Sequence, residues 1–143
     1  MSEALTRQSI IRTAREFLGT RFLHQGRNPA TGLDCVGLLI VLAQRLGYPH
    51  QDVAGYRRTP SADTIRQMLL LNCDELPLGE IRDGDIYLMR LGGIKPRHVS
   101  IHHNFNGRDS IIHASANGVR CEEKTNFPQS WFVAGFRLRG VID

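Results

Sequence analysis

The stretch Gly32-Leu33-Asp34-Cys35-Val36-Gly37-Leu38-Leu39-Ile40-Val41-Leu42-Ala43 constrains the fold more than any other part of the chain. It passes from loop into apolar helix, with one cysteine at the junction. Asp34 reads as an N-cap whose carboxylate accepts hydrogen bonds from the open N–H groups of the first turn. Cys35 then takes the first helical position, where those groups and the helix dipole favour negative charge. That placing predicts a lowered thiol pKa and a nucleophile. From Cys35 to Leu46 nearly every residue is apolar around the whole helix, so the helix should be buried with its N-terminus alone at a cleft. Gly47 closes it at C′. The same pattern also fits a small buried hydrophobe, the common state of a lone cysteine. The choice turns on whether the rest of the chain supplies a base.

The chain before this stretch reads as a helix and a loop. Ile10, Ile11, Ala14, Phe17 and Leu18 recur at helical spacing, which predicts an amphipathic helix over Leu5 to Leu18, ended by Gly19 and lying against the cysteine helix. Thr20 to Gly32 contains two glycines and a proline and reads as a polar loop leading to Cys35. His24, Gln25 and Arg27 are its candidate ligand contacts. After Gly47, Tyr48 to Pro60 reads as loop, and Ser61 or Asp63 caps a short helix with Ile65, Met68 and Leu69 on its apolar face. Cys73 at its end reads as structural. The period then changes from helix to strand. Strands are expected at Asp85–Arg90, Arg97–His103, Asp109–Ser115, Val119–Glu123 and Phe132–Leu138. Between them come a loop over Leu91–Pro96, a turn at Asn117-Gly118 and a helical turn over Phe127–Trp131. Helices first and antiparallel strands afterwards define an α+β class, expected as one domain over residues 1–143.

Composition narrows the function. No apolar run reaches the length of a membrane span. Met1 to Gln8 lacks the pattern of a signal peptide, so cytoplasmic synthesis without Sec-type export is expected. Cys35, Cys73 and Cys121 cannot all pair, which favours free thiols. Sixteen of the eighteen basic residues are arginine, yet they are scattered, with only Arg57 and Arg58 adjacent. A nucleic-acid binder more often shows a basic stripe with interleaved aromatics, so no nucleic-acid partner is expected.

The base comes from register. Asn106-Gly107 favours a two-residue type I′ hairpin turn that pairs Phe105 with Arg108. Ser100 then falls opposite His113, and His98 lies on the same face as both because strand side chains alternate. His98 and His113 become diagonal neighbours, ~7–8 Å apart between Cα atoms and within imidazole reach. Cys35 as nucleophile, His98 as base and His113 holding the tautomer would form an acyl-transfer set, with N–H groups around Cys35 as oxyanion hole. Zinc is the competing reading of Cys35, His98, His102 and His113. His102 lies about 13 Å further along an extended strand at ~3.3 Å per residue, and no H-E-x-x-H helix or cysteine pair is present. No metal and no cofactor is expected. His102, His103, His24 and His50 read as surface or lining residues, His24 being the main exception.

The ordered set Asp34-Cys35-x-Gly37-Leu38, Gly84-Asp85, His98-Val99-x-Ile101 and Ile112-His113-Ala114 resembles the NlpC-type cell-wall peptidases, a compact branch of the papain-like cysteine peptidases. The resemblance runs from the first helix to the third strand. It implies a papain-like α+β fold whose central helix bears the nucleophile and packs on an antiparallel sheet bearing the base. It also implies hydrolysis of bacterial peptidoglycan stem peptides, commonly between D-glutamate and diaminopimelate. Cys35 matches the nucleophile, His98 the base and His113 the third polar residue. Asp34, Phe22, His24, Arg27, Val36 and Ser100 are the expected substrate contacts. The loop from His24 to Gly37 looks most like the phage-tail and prophage branch, including gene-transfer-agent clusters, which implies tail-particle proteins as partners.

Two positions depart from the family pattern. Phe22 stands where a tyrosine is typical, so its hydroxyl is missing. Val36 replaces the serine that commonly follows the nucleophile, while keeping the backbone N–H. Two other readings of the same residues stand beside the peptidase. One is another Cys-His acyl chemistry, as in an amidase, deamidase or acyltransferase. The other is a tail structural component in which the set is idle.

Overall fold

The computed structural model describes residues 5–91, 95–116 and 120–142. The turn expected at Asn117-Gly118, the first residue of the strand expected from Val119 and the centre of the 91–96 loop lie outside them. Helix α1 (Arg7–Glu16) begins where Thr6 and Ser9 exchange side-chain and backbone hydrogen bonds at 2.9 Å, a capping box. That cap sets the start two residues later than periodicity suggests, and Phe17 closes the helix. Ile10, Ile11, Ala14 and Phe17 are buried against the rest of the core.

Two short strands, β1 (Arg27–Asn28) and β2 (Gly32–Leu33), pair antiparallel inside the stretch expected to be loop. They lead into α2 (Cys35–Arg45), where every residue from Val36 to Ala43 is buried. A Cβ on Gly37 would collide with the carbonyl oxygen of Gly26. Only glycine lets the loop lie this close to the first turn. Gly47 takes a positive φ of 67° at the C′ position, as the sequence suggests. Helix α3 (Ala62–Leu70) is capped by Ser61, whose hydroxyl accepts from Thr64 N at 3.1 Å.

The remaining strands are β3 (Cys73–Leu76), β4 (Ile86–Met89), β5 (His98–Phe105), β6 (Arg108–Ser115), β7 (Arg120–Lys124) and β8 (Phe132–Leu138). They form one six-stranded sheet in the order β3-β8-β4-β5-β6-β7, with every neighbouring pair antiparallel. With the helices this is an α+β architecture. Sequence periodicity overlooks β3 because only Cys73 in it is buried, while Asp74 and Glu75 are exposed and its partner β8 lies far along the chain. Asn106 and Gly107 have φ of 54° and 81°, the two positive angles a type I′ turn needs. Phe105 pairs with Arg108 and Ile101 with Ile112, the register expected from that dipeptide.

The apolar sides of α1 and α2 share one core with Val99, Ile101, Ile112 and Ala114 of the sheet. A smaller cluster of Tyr87, Met89 and Ile111 lies under Trp131 and Phe132. Buried Asp85 pins the start of β4: it accepts from Arg7 Nη1 at 3.0 Å, Arg137 Nε at 3.0 Å, Arg137 Nη2 at 2.8 Å and Arg82 N at 2.9 Å. Its desolvation is offset by these charge-assisted bonds. Among the described residues no helix is long and apolar enough to cross a membrane.

Candidate active site

Helix α2 and strand β5 bring Cys35 and His98 to one cleft of about 130 Å³, lined also by Phe22, His24, Asp34, Val36 and Tyr56. The Cys35 thiol is half-buried and sits by the backbone N–H groups of Cys35, Val36 and Val99. Val99 directly follows His98 at the start of β5, so the starts of the strand and of the helix meet at the sulfur.

His98 Nε2 lies 2.6 Å from His113 Nδ1, with the rings nearly perpendicular at 4.8 Å between centroids. His113 is fully buried, and its Nε2 lies 3.0 Å from Glu122 Oε1. Glu122 is the cross-strand partner of His113 on β7. A carboxylate accepts only, so Glu122 holds the proton of His113 on Nε2. His113 Nδ1 must then accept, which puts the proton of His98 on Nε2. The lone pair of His98 is left on Nδ1. One half-buried carboxylate thereby fixes two tautomers in series.

The electrostatics correct one sequence expectation. Cys35 is pushed up to about 12 rather than lowered. Burial disfavours the thiolate and the adjacent Asp34 carboxylate adds to it, together outweighing the three N–H groups that favour the anion. His98 is pushed down to about 3 by burial and by its neighbour His113. Burial also lowers His113, against the opposing pull of Glu122. Burial thus works against each charge taken alone.

Asp34 is spent on structure. Its Oδ1 accepts from Gly37 N at 2.7 Å and Arg27 Nη1 at 3.2 Å, and its Oδ2 from Gln25 N at 2.8 Å and Tyr56 hydroxyl at 2.5 Å. Arg27 does not line the cleft and bonds Asp34, Asp52 at 3.1 Å and the Tyr56 hydroxyl at 2.9 Å. Ser100 is buried, donating to Met89 Sδ at 3.1 Å. Of the expected substrate contacts, the structure therefore gathers Asp34, Phe22, His24 and Val36 at the cleft, and does not bring Arg27 or Ser100 there. Phe22 offers no hydroxyl; Tyr56, from the loop after α2, lines the same cleft with its hydroxyl donating to Asp34. Burial and the Asp34 bond push its hydroxyl up, keeping it a donor. Glu122 and Tyr56, which bond His113 and Asp34, were not singled out by sequence reasoning.

No group of three His, Cys, Asp or Glu side chains among the described residues is arranged to hold a metal ion.

Fold and cleft together define a papain-like α+β protein with a cysteine and two histidines at one site. Solved NlpC/p60 domains share that fold. The NlpC/p60 domain of the peptidoglycan hydrolase SagA aligns with a TM-score of 0.61 at 18% identity, over 93% of this chain and 99% of that one. An NlpC/p60 family protein from Bacillus cereus gives 0.64 at 20% identity, over 93% of this chain and 40% of that one. The peptidoglycan hydrolase RipB from Mycobacterium tuberculosis gives 0.62 at 17% identity, over 96% and 65%. This chain thus spans less than half of the Bacillus protein. Neither a family model nor a curated protein matches the sequence.

Proposed function

We propose that this protein is a cysteine peptidase that hydrolyses peptide bonds in bacterial peptidoglycan stem peptides, of the D-glutamate–diaminopimelate type. The observation that carries the reading is the run from His98 through His113 to Glu122, with 2.6 Å and 3.0 Å between the successive nitrogen and oxygen atoms, beside a cleft that Cys35 and His98 both line. In the reaction, the sulfur of Cys35 attacks the scissile carbonyl carbon as its proton passes to His98 Nδ1. The N–H groups at the start of α2 face the developing oxyanion. His98 then protonates the leaving amine, and the acyl group stays on sulfur as a thioester. A water molecule gives its proton to His98 and attacks the thioester, releasing the carboxylic acid and the thiol. His113 and Glu122 keep the imidazole in the required tautomer throughout.

The loop from His24 to Gly37 supports a working place in a phage tail or tail-like particle, with tail proteins as partners. Mass spectrometry of purified particles from an expressing host tests that: the protein should co-purify with tail components, and its absence would refute it. The activity is tested by digesting purified peptidoglycan with wild type and Cys35→Ala. Fragments with a new amino terminus at diaminopimelate from wild type alone are expected. No fragments from folded wild type would overturn the peptidase reading.

A further inference from the structure

The cleft is unevenly charged. Arg57 and Arg58, from the loop after α2, and Arg97, next to the base His98, all line it. An adjoining hollow of about 590 Å³ shares Tyr56, Arg57, Pro60 and Arg97 with the cleft and adds Lys95. Elsewhere arginines are committed: Arg7 and Arg137 to Asp85, Arg27 to Asp34 and Asp52, Arg45 to Glu16, Arg139 to Asp74. Arg57, Arg58, Arg97 and Lys95 have no hydrogen-bonding or ion-pair partner among the described residues. The single carboxylate in either lining is Asp34, whose oxygens already accept four bonds. So the walls offer several unspent cations and no unspent anion.

We infer that Arg57 and Arg97 form a carboxylate clamp across the cleft, selecting peptides that carry a free carboxylate beside the scissile bond over the same peptides as carboxamides. The inference rests on the peptidase reading above and deepens it. Arginine suits the task because its planar fork matches a carboxylate through two parallel bonds. A carboxamide presents one acceptor and an NH2 that opposes the second guanidinium N–H. Unlike the ion pairs within the fold, a clamp of uncommitted arginines costs nothing to break before the ligand arrives. Contiguity with the thiol favours a peptide carboxylate over a remote phosphate polymer.

The test compares a synthetic stem peptide as the free acid and as its carboxamide, using wild type, Arg57→Gln/Arg97→Gln and Arg108→Gln, a substitution on the distant hairpin. Wild type and Arg108→Gln should prefer the free acid in kcat/KM by about tenfold or more, the worth of one charge-assisted bond pair. The double variant should lose that preference, mainly through KM. Equal rates on both peptides with wild type, or preference retained in the double variant, would overturn the clamp while leaving the peptidase intact. Should wild type cleave neither peptide, calorimetry on Cys35→Ala still decides the clamp. Tighter binding of the free acid supports it, and equal or absent binding of both overturns it.

Discussion

Two histidine–carboxylate sets lie on the same three strands. At one end of β5 and β6, His98 meets His113 and Glu122 beside Cys35. At the other, His103 Nδ1 lies 2.6 Å from Glu123 Oε2, Ser110 Oγ lies 2.7 Å from the same oxygen, and Arg15 Nε lies 3.1 Å from Glu123 Oε1. Both join histidine to carboxylate on these strands, but His113 and Glu122 are direct cross-strand partners, whereas His103 on β5 reaches Glu123 on β7 across Ser110. The outcome differs because of what the set ends on. The first ends on a thiol in a cleft. The second is closed by Arg15 from α1, and its hydroxyl, imidazole and guanidinium all serve one carboxylate. Burial would raise Glu123, yet the bonds from Ser110 and His103 and the nearby Arg15 hold it below its ordinary value. That set ties α1 to the sheet. A short histidine–carboxylate contact is therefore evidence of chemistry only where it leaves a nitrogen facing a reactive group.

The comparison breaks most completely at the sulfur. Cys35→Ala should abolish turnover on stem peptide, while Cys73→Ala and Cys121→Ala, both in the core, should keep it in whatever fraction stays folded; steady-state rates normalised to folded protein check this. Next come the bases. His98→Ala should lower kcat/KM by about 10²–10⁴. His103→Ala should leave kcat/KM of folded protein unchanged and instead cost about 1–3 kcal/mol in a urea titration, by leaving Glu123 short of a partner. Smaller still is the carboxylate beyond His113. Glu122→Ala should lower kcat by up to about fivefold, the worth of one hydrogen bond to His113. Glu122→Gln should be milder, because its carbonyl still accepts from His113 Nε2–H. A Gln variant no better than Ala would remove tautomer control from the account.

Acid sharpens the contrast further. With His98 held near 3 and a free imidazole at ~6.5, the unfolded chain binds a proton in that interval that the folded chain refuses. The contribution of His98 is full above ~6.5 and is lost as pH falls towards 3. Urea midpoints should therefore rise between pH 4 and 6.5, less steeply in His98→Gln. Cys35 works in the opposite sense. Raised from 9.0 to about 12, it contributes fully below 9 and loses that contribution as pH rises towards 12, so Cys35→Ala should flatten the alkaline limb.

What was legible in the sequence was mostly local. Asp34 capping an apolar helix, Gly47 closing it and Asn106-Gly107 setting register each rest on one or two residues, and together they place Cys35, His98 and His113. Glu122 was within reach of the same arithmetic. Asn117-Gly118 taken as a two-residue turn puts His113 opposite Glu122, the pairing found on β6 and β7. Tyr56 was not legible, because a loop without periodicity gives no hint of where its side chain returns. Nor was β3, whose pairing with β8 is long-range. The raised thiol pKa shows the limit of reasoning from the helix end alone. Its N–H groups do favour the anion, but burial and Asp34, itself the cap, win.

The most direct test of the central claim is intact-mass spectrometry of protein mixed with a stem-peptide thioester and quenched in acid within a turnover. Transient acylation of one site, mapping to Cys35 and absent in Cys35→Ala, is the predicted result. A hydrolysed substrate with no adduct on Cys35, or an adduct on Cys73 or Cys121 instead, would contradict it.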